Sequence, residues 1–188
     1  MKQAIITAAV LFSIPTLALA GPVAGIGYSD IGLSGHAGRP GVQFNAGDMY
    51  PHDVIASGSA SFARGYFSMN ADIGKLIQAN GVAFEPYVSL GFLNLNYTQP
   101  QQQSIQDLYG LAGVNLSIPI SNKVEVGIGG GLGHTLTTFG GNSGSVYTGD
   151  VIFGGKIAPH VTASLDVSYT HTPGASMTSY GAGLAYHF

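Results

Sequence analysis

The chain has no cysteine among its 188 residues, which excludes a disulfide framework and any Cys-ligated metal. Charge is almost as scarce: Asp, Glu, Lys and Arg make up 8% of the sequence, against roughly 25% in soluble globular chains. A soluble domain covers its surface with such groups, so their scarcity speaks against one. Long apolar runs are missing beyond the N-terminus, because glycine and β-branched residues interrupt every apolar stretch; the mature chain therefore holds no candidate transmembrane helix. Arg39, Arg64, Lys75, Lys123 and Lys156 stand singly, which leaves no basic patch for a nucleic acid. The 29 glycines follow no collagen-like period, and a net charge of −3 is too small for a disordered polyelectrolyte.

What is present begins with a leader. Met1-Lys2 is a short positive segment, Ala4 to Ile14 is apolar, Pro15 breaks the helix, and Ala18-Leu19-Ala20 offers small residues before Gly21. This is the pattern of a cleaved secretory signal peptide over 1–20, with a mature domain over 21–188. Gly rather than Cys at the first mature position speaks against a lipid anchor.

The mature chain alternates with a period of two. Val161, Ala163, Leu165, Val167 and Tyr169 oppose Thr162, Ser164, Asp166, Ser168 and Thr170. Tyr180, Ala182, Leu184, Tyr186 and Phe188 oppose Ser179, Gly181, Gly183, Ala185 and His187. Between Lys123 and Thr138, Val124, Val126, Ile128, Leu132 and Leu136 oppose Glu125 and a ladder of Gly127, Gly129, Gly131 and Gly133. Such glycines suit the inner wall of a narrow barrel. Leu108 to Ile118 and Tyr147 to Ile157 alternate likewise. In Phe84 to Tyr97, Leu93 and Leu95 leave the parity of Phe84, Val88, Leu90 and Phe92, and a bulge near Phe92-Leu93 would repair this. The expectation is an all-β fold, an antiparallel transmembrane β-barrel in a Gram-negative outer membrane. Eight strands are the preferred count, with residues 22–78 contributing two. The barrel has ten if Ala24–Ser29, Ile31–Ala37, Gly41–Tyr50 and Val54–Ile77 contribute one each. Turns are expected at 119–122 and 158–160 on the periplasmic side, and short outer loops at 98–104, 140–144 and 172–176.

At the C-terminus, Gly183, Tyr186 and terminal Phe188 resemble the signature by which the barrel-assembly machinery recognises its substrates, with Gly181 where a polar residue is preferred. Ile31-Gly32-Leu33, the stretch Gly41 to Tyr50 and the Tyr169 hairpin ending at Phe188 resemble the YfaZ-type small outer-membrane proteins. Ail/OmpX-like and OmpA-like barrel domains come next. The resemblance implies a barrel-assembly machinery and periplasmic chaperones as partners during biogenesis, outer-membrane lipid and lipopolysaccharide around the finished barrel, and a monomer. It carries no activity over to particular residues.

By parity, Arg64, Asp72, Glu85, Glu125, Asp150, Lys156 and Asp166 point into the barrel, as a selective constriction or as a network in which Arg64 and Lys156 neutralise the carboxylates. His134 and His171 fall on the outward parity, with His36 and His52 in or near loops. Outer-leaflet lipid A deacylases carry a His-x-Ser spacing, but Pro173 and Leu136 stand two residues beyond His171 and His134. No His-x-His pair occurs to chelate a metal. Tyr147, Tyr169, Tyr180 and Phe139 read as an outer aromatic girdle, and Tyr186, Phe188, Phe84 and Tyr109 as a periplasmic one. The expected function is non-enzymatic, in envelope integrity or surface interaction, with no cofactor and no metal. The alternative is a narrow channel for small or hydrophobic solutes, and the third reading is a lipid A-modifying enzyme.

Overall fold

The computed structural model of the chain describes residues 21–33, 38–96 and 104–188. The expected leader, His36 and most of the expected loop 98–104 lie outside the described residues. Among the described residues ten strands follow one another: β1 (Val23–Leu33), β2 (Arg39–Tyr50), β3 (Val54–Ala63), β4 (Tyr66–Lys75, resumed after Leu76 by Ile77–Ala79) and β5 (Val82–Asn96). Then come β6 (Ser104–Pro119), β7 (Val124–Phe139), β8 (Ser145–Ala158), β9 (Val161–Thr172) and β10 (Ala175–His187). Each pairs antiparallel with its neighbours in sequence, and β1 pairs with β10 to close the sheet. Closure removes every edge, so each strand finds its hydrogen bonds within the wall.

The preferred count of eight is therefore corrected to ten. The four strands before residue 80 also divide differently from the ten-strand alternative. Ile31 continues β1 instead of opening a new strand, and 54–77 is a hairpin folded at Arg64-Gly65, where Gly65 takes a left-handed φ of 68°. Asn80 and Gly81 both have positive φ, 52° and 79°, as the favoured two-residue hairpin turn requires.

The wall is staggered. From Asp72 the line of paired residues runs through Ser57, Gly47 and Val23 down to His187. From neighbouring Ile73 it runs the other way, through Val88, Ala112, Leu132, Tyr147 and His171, to Ser176 near the opposite end of β10. That offset tilts the strands against the barrel axis. Both described chain ends, Gly21 and Phe188, meet at one end, where Phe188 N–H donates to Pro22 O at 3.0 Å. This is the terminal end, and the opposite one is the far end.

Outward side chains form an apolar belt: Leu132 is 73% exposed, Leu165 62%, Ile73 and Val88 60%. A belt of this extent needs an apolar solvent around it. Phe44, Phe62, Phe67 and Phe92 add a chain of ring contacts across β2 to β5, with centroids 5.0–6.2 Å apart. Tyr147 and Tyr169 contact at the far end, and Tyr186 and Phe188 at the terminal end.

Inside, two regions differ. The far half is filled by Ile31, Leu33, Tyr66, Leu93, Leu95, Ile105, Tyr109, Leu111, Val146 and Met177, none more than 6% exposed, with Tyr87 packed beneath. The expected bulge at Phe92-Leu93 is absent: register runs unbroken on both sides of β5, and Leu93 and Leu95 point inward because the lumen there is apolar. Irregular register occurs instead at Leu108/Tyr109 and Val161/Thr162. Tyr109 leaves the expected periplasmic girdle too. It is 1% exposed within the lumen, and its hydroxyl donates to Asn70 Oδ1 at 3.0 Å. Toward the terminal end the lumen is polar, apart from a small cluster of Val23, Ile55, Leu76 and Ala83.

Candidate functional site in the lumen

Alternation fixes which side chains enter the lumen, and register fixes which of them meet. Glu85, Asn115, Gly129 and Asp150 are consecutive partners across β5 to β8. The next row toward the far end is Tyr87, Gly113, Gly131 and Thr148. The glycines make space for their neighbours. A Cβ on Gly129 would strike Asp150 Oδ1 and come within 2.6 Å of Asn115 Oδ1. On Gly131 a Cβ would meet Tyr87 OH at 3.0 Å and Thr148 Oγ1 at 3.1 Å, and on Gly113 it would meet Tyr87 OH at 2.5 Å. Glycines of the ladder read from the sequence thus leave room on the inner wall for oxygen-bearing side chains of the neighbouring strands.

Of the seven expected interior charges, five are buried in the lumen: Asp72, Glu85, Glu125, Asp150 and Asp166. Asp72 lies opposite Ser89 and within electrostatic reach of Glu85. Asn115 Nδ2 donates to Glu85 Oε2 at 3.3 Å. Asp166 folds over Gly181, and neither of its carboxylate oxygens has a hydrogen-bond partner.

The two expected cations are not there. Arg64 is exposed in the β3–β4 turn, where its carbonyl accepts from Arg39 Nη1 at 2.8 Å. It falls at the turn because Gly65 reverses the chain directly after it. Lys156 keeps the inward parity, opposite Thr162, but stands exposed at the terminal end of β8. Among the described residues no Lys or Arg side chain is buried. A sixth buried carboxylate, Asp107, was missed. It is fully buried in the far half, and carrying the alternation of β6 back from Tyr109 by two residues would have found it.

A cavity of about 440 Å³ opens at the terminal end, lined by Ala83, Ser117, Pro119, Glu125 and the Asn80-Gly81 turn. Among the described residues no group of three or more His, Asp or Glu forms a ready-made metal centre.

Outside the lumen, His171 Nδ1 lies 2.7 Å from Ser176 Oγ, and its ring stacks on Tyr147 with centroids 4.5 Å apart. A search two residues along the strand misses this serine, because it comes from the paired strand across the Pro173-Gly174 turn. His134 Nδ1 engages the Thr135 carbonyl at 2.8 Å, and His52 is exposed in the β2–β3 turn. Of the assembly residues, Tyr186 and Phe188 project outward with rings 5.1 Å apart, and Gly183 lies on the inward face beside Gly27.

The barrel is shared with solved outer-membrane proteins. The NanC porin matches with a TM-score of 0.56 at 8% identity, covering 88% of this chain and 100% of that one. The KdgM porin matches with a TM-score of 0.48 at 12% identity, over 87% and 99% of the two chains. An outer membrane channel from Pseudomonas putida F1 matches at 0.45 and 10% identity, over 96% and 100%. Likeness at such identity is a likeness of fold. No family model and no curated protein sequence matches the chain, so the YfaZ-type resemblance has no family match behind it.

Proposed function

We propose that the protein is an integral outer-membrane barrel of the YfaZ type that does not conduct and serves envelope integrity or surface interaction without enzymatic chemistry. One observation carries this reading: a cluster of apolar side chains packs together in the far half of the lumen, none of them more than 6% exposed. Water does not pass such a plug, and ions need water or its equivalent in fixed oxygens. On this reading residues 1–20 direct export, Gly183, Tyr186 and Phe188 mark the chain for the barrel-assembly machinery after periplasmic chaperones release it, and lipid and lipopolysaccharide surround a monomer whose terminal end faces the periplasm. Planar-bilayer recordings on purified protein test it. No stable unitary current is expected, and reproducible currents from wild type would overturn it.

A narrow channel is the second reading, favoured by the polar terminal half and its open mouth. Its carboxylate lining would admit small cations in preference to hydrophobic solutes. In that case wild-type currents would be cation-selective and would grow when Leu93 or Tyr109 is shortened.

A further inference from the structure

We propose that the cavity at the terminal end is a binding site for a small linear amine, whose ammonium group sits on Glu125 while its short aliphatic body lies beside the Asn80-Gly81 turn. The cavity exists because one inward row of the wall is built from small residues. Ala83, Ser117 and Gly127 are consecutive partners across β5, β6 and β7, and the hairpin tip of β4 and β5 completes a lining around about 440 Å³. That volume lies in the range of small-ligand pockets. The next inward residue of β7 is Glu125, opposite Pro119, the last residue of β6.

Two side chains of the lining point to the class of guest. Glu125 is only 4% exposed although it stands at the mouth, whereas Lys156, inward by parity at the same end, is exposed to solvent. A carboxylate held inside the mouth favours a guest that brings positive charge. The chain's own cations stay outside: among the described residues no Lys or Arg side chain is buried, and Asp72, Glu85, Asp150 and Asp166 add carboxylates deeper in the lumen. Glu125 already makes a polar or electrostatic contact within the protein, and a carboxylate, with about four acceptor sites, takes an ammonium in addition. The second side chain is Ser117. It is 8% exposed, it lines the cavity, and its hydroxyl has no hydrogen-bond partner. A hydroxyl rotates to suit a guest and can accept a further ammonium proton. Val82, Ala83 and Pro119 supply apolar wall for methylene groups. A bare metal ion would meet a single carboxylate here, with no three-ligand group among the described residues, so the organic cation fits this lining better.

The cavity lies on the terminal side of the apolar cluster, so its occupancy does not depend on conduction and is tested apart from the bilayer recordings. The protein, refolded into zwitterionic detergent, would be titrated with putrescine at neutral pH and physiological ionic strength. Ligand-observed NMR follows binding, with empty micelles as background and the neutral diol of the same chain length as comparison. Saturable binding of putrescine, and none of the diol over the same range, is expected. Glu125→Gln keeps the shape and should weaken binding about tenfold or more, the worth of a hydrogen bond to a charged group. Ala83→Leu fills the cavity and should weaken binding as much. Asp53→Asn removes the same charge from the exposed β2–β3 turn at this end, and should leave affinity within about twofold because salt screens an exposed charge. Every variant is checked for heat-modifiable folding; if Ala83→Leu does not fold, the isosteric Glu125→Gln decides. Absence of saturable putrescine binding in wild type would overturn the site, and so would equal binding of the diol. Unaltered affinity in a folded Glu125→Gln or Ala83→Leu would refute it by putting the amine elsewhere. Equal losses in Glu125→Gln and Asp53→Asn would refute it too, by reducing the attraction to a diffuse negative field.

Discussion

The two halves of the lumen are built from the same ten strands and meet opposite demands. In the far half, inward positions carry Leu, Ile, Tyr and Met packed to near-zero exposure, with Asp107, Thr170 and Thr172 buried among them. In the terminal half they carry Asp, Glu, Asn and Ser above a floor of glycine. The outer face is apolar around both halves, so only the inner face distinguishes them. The far half behaves as a protein core enclosed by its own wall, where side-chain volume sets stability. The terminal half is governed by unpaired acceptors and solvation.

That contrast makes truncation the most revealing experiment. Tyr109→Ala removes a fully buried ring from the plug and the bond to Asn70, and should cost about 3–5 kcal/mol. Ser117→Ala in the terminal half removes a buried hydroxyl that has no hydrogen-bond partner, and should change stability by less than about 0.5 kcal/mol. Reversible urea unfolding in detergent or liposomes measures both. Comparable losses would mean that the two halves are packed alike.

The second experiment sets inner wall against outer wall on β9. Leu165→Arg puts a cation into lipid and should cost about 2–4 kcal/mol if the site lies near the midplane. Ser164→Arg puts one into the lumen two residues from the unpartnered Asp166, where attraction offsets crowding, and should cost less than half as much. A better-tolerated Leu165→Arg would refute the parity of the whole strand.

How much of this was legible in the sequence follows the same division. Facing was readable wherever the two faces differ in polarity. In β7, β9 and β10 the alternation of apolar with small or polar residues assigned Glu125, Asp166 and the glycine ladder to the inner face, and Glu125 and Asp166 are buried. It failed where both faces are apolar, because period two then carries no contrast. Leu93 and Leu95 were read as a slip in register when they are the plug, and Tyr109 was read as lipid-facing. The turn at Arg64-Gly65 was hidden because Val54–Ile77 was read as one strand; the inward positions are odd-numbered up to Ser61 and even-numbered from Tyr66 on, and that change of parity marks the turn. Asn80-Gly81, by contrast, is a strong local hairpin signal that could have been used. Neither the Asn115–Glu85 hydrogen bond nor the His171–Ser176 contact could be seen along the chain. Both arise across strands, from a register that the sequence does not state.

The smallest expected effect tests the terminal half on its own terms. Asp166 is 4% exposed, neither of its oxygens has a hydrogen-bond partner, and it covers Gly181 on the neighbouring strand. A buried carboxylate in that position contributes no bond to the wall and carries a desolvation penalty whenever it is ionised. Asp166→Asn keeps the shape and removes the charge, so the variant should be as stable as wild type or more stable by about 1 kcal/mol at neutral pH. The gain should shrink at acid pH, where the wild-type carboxyl is neutral as well. In Asp107→Asn the same exchange, made inside the apolar plug, should act in the same direction, because that carboxylate also has no hydrogen-bond partner. A loss of more than about 1 kcal/mol in Asp166→Asn would show that the carboxylate is held by a cation or an ordered water network that Asn cannot replace. The terminal half would then be a paired electrostatic core, and its contrast with the plug would be one of chemistry and not of packing.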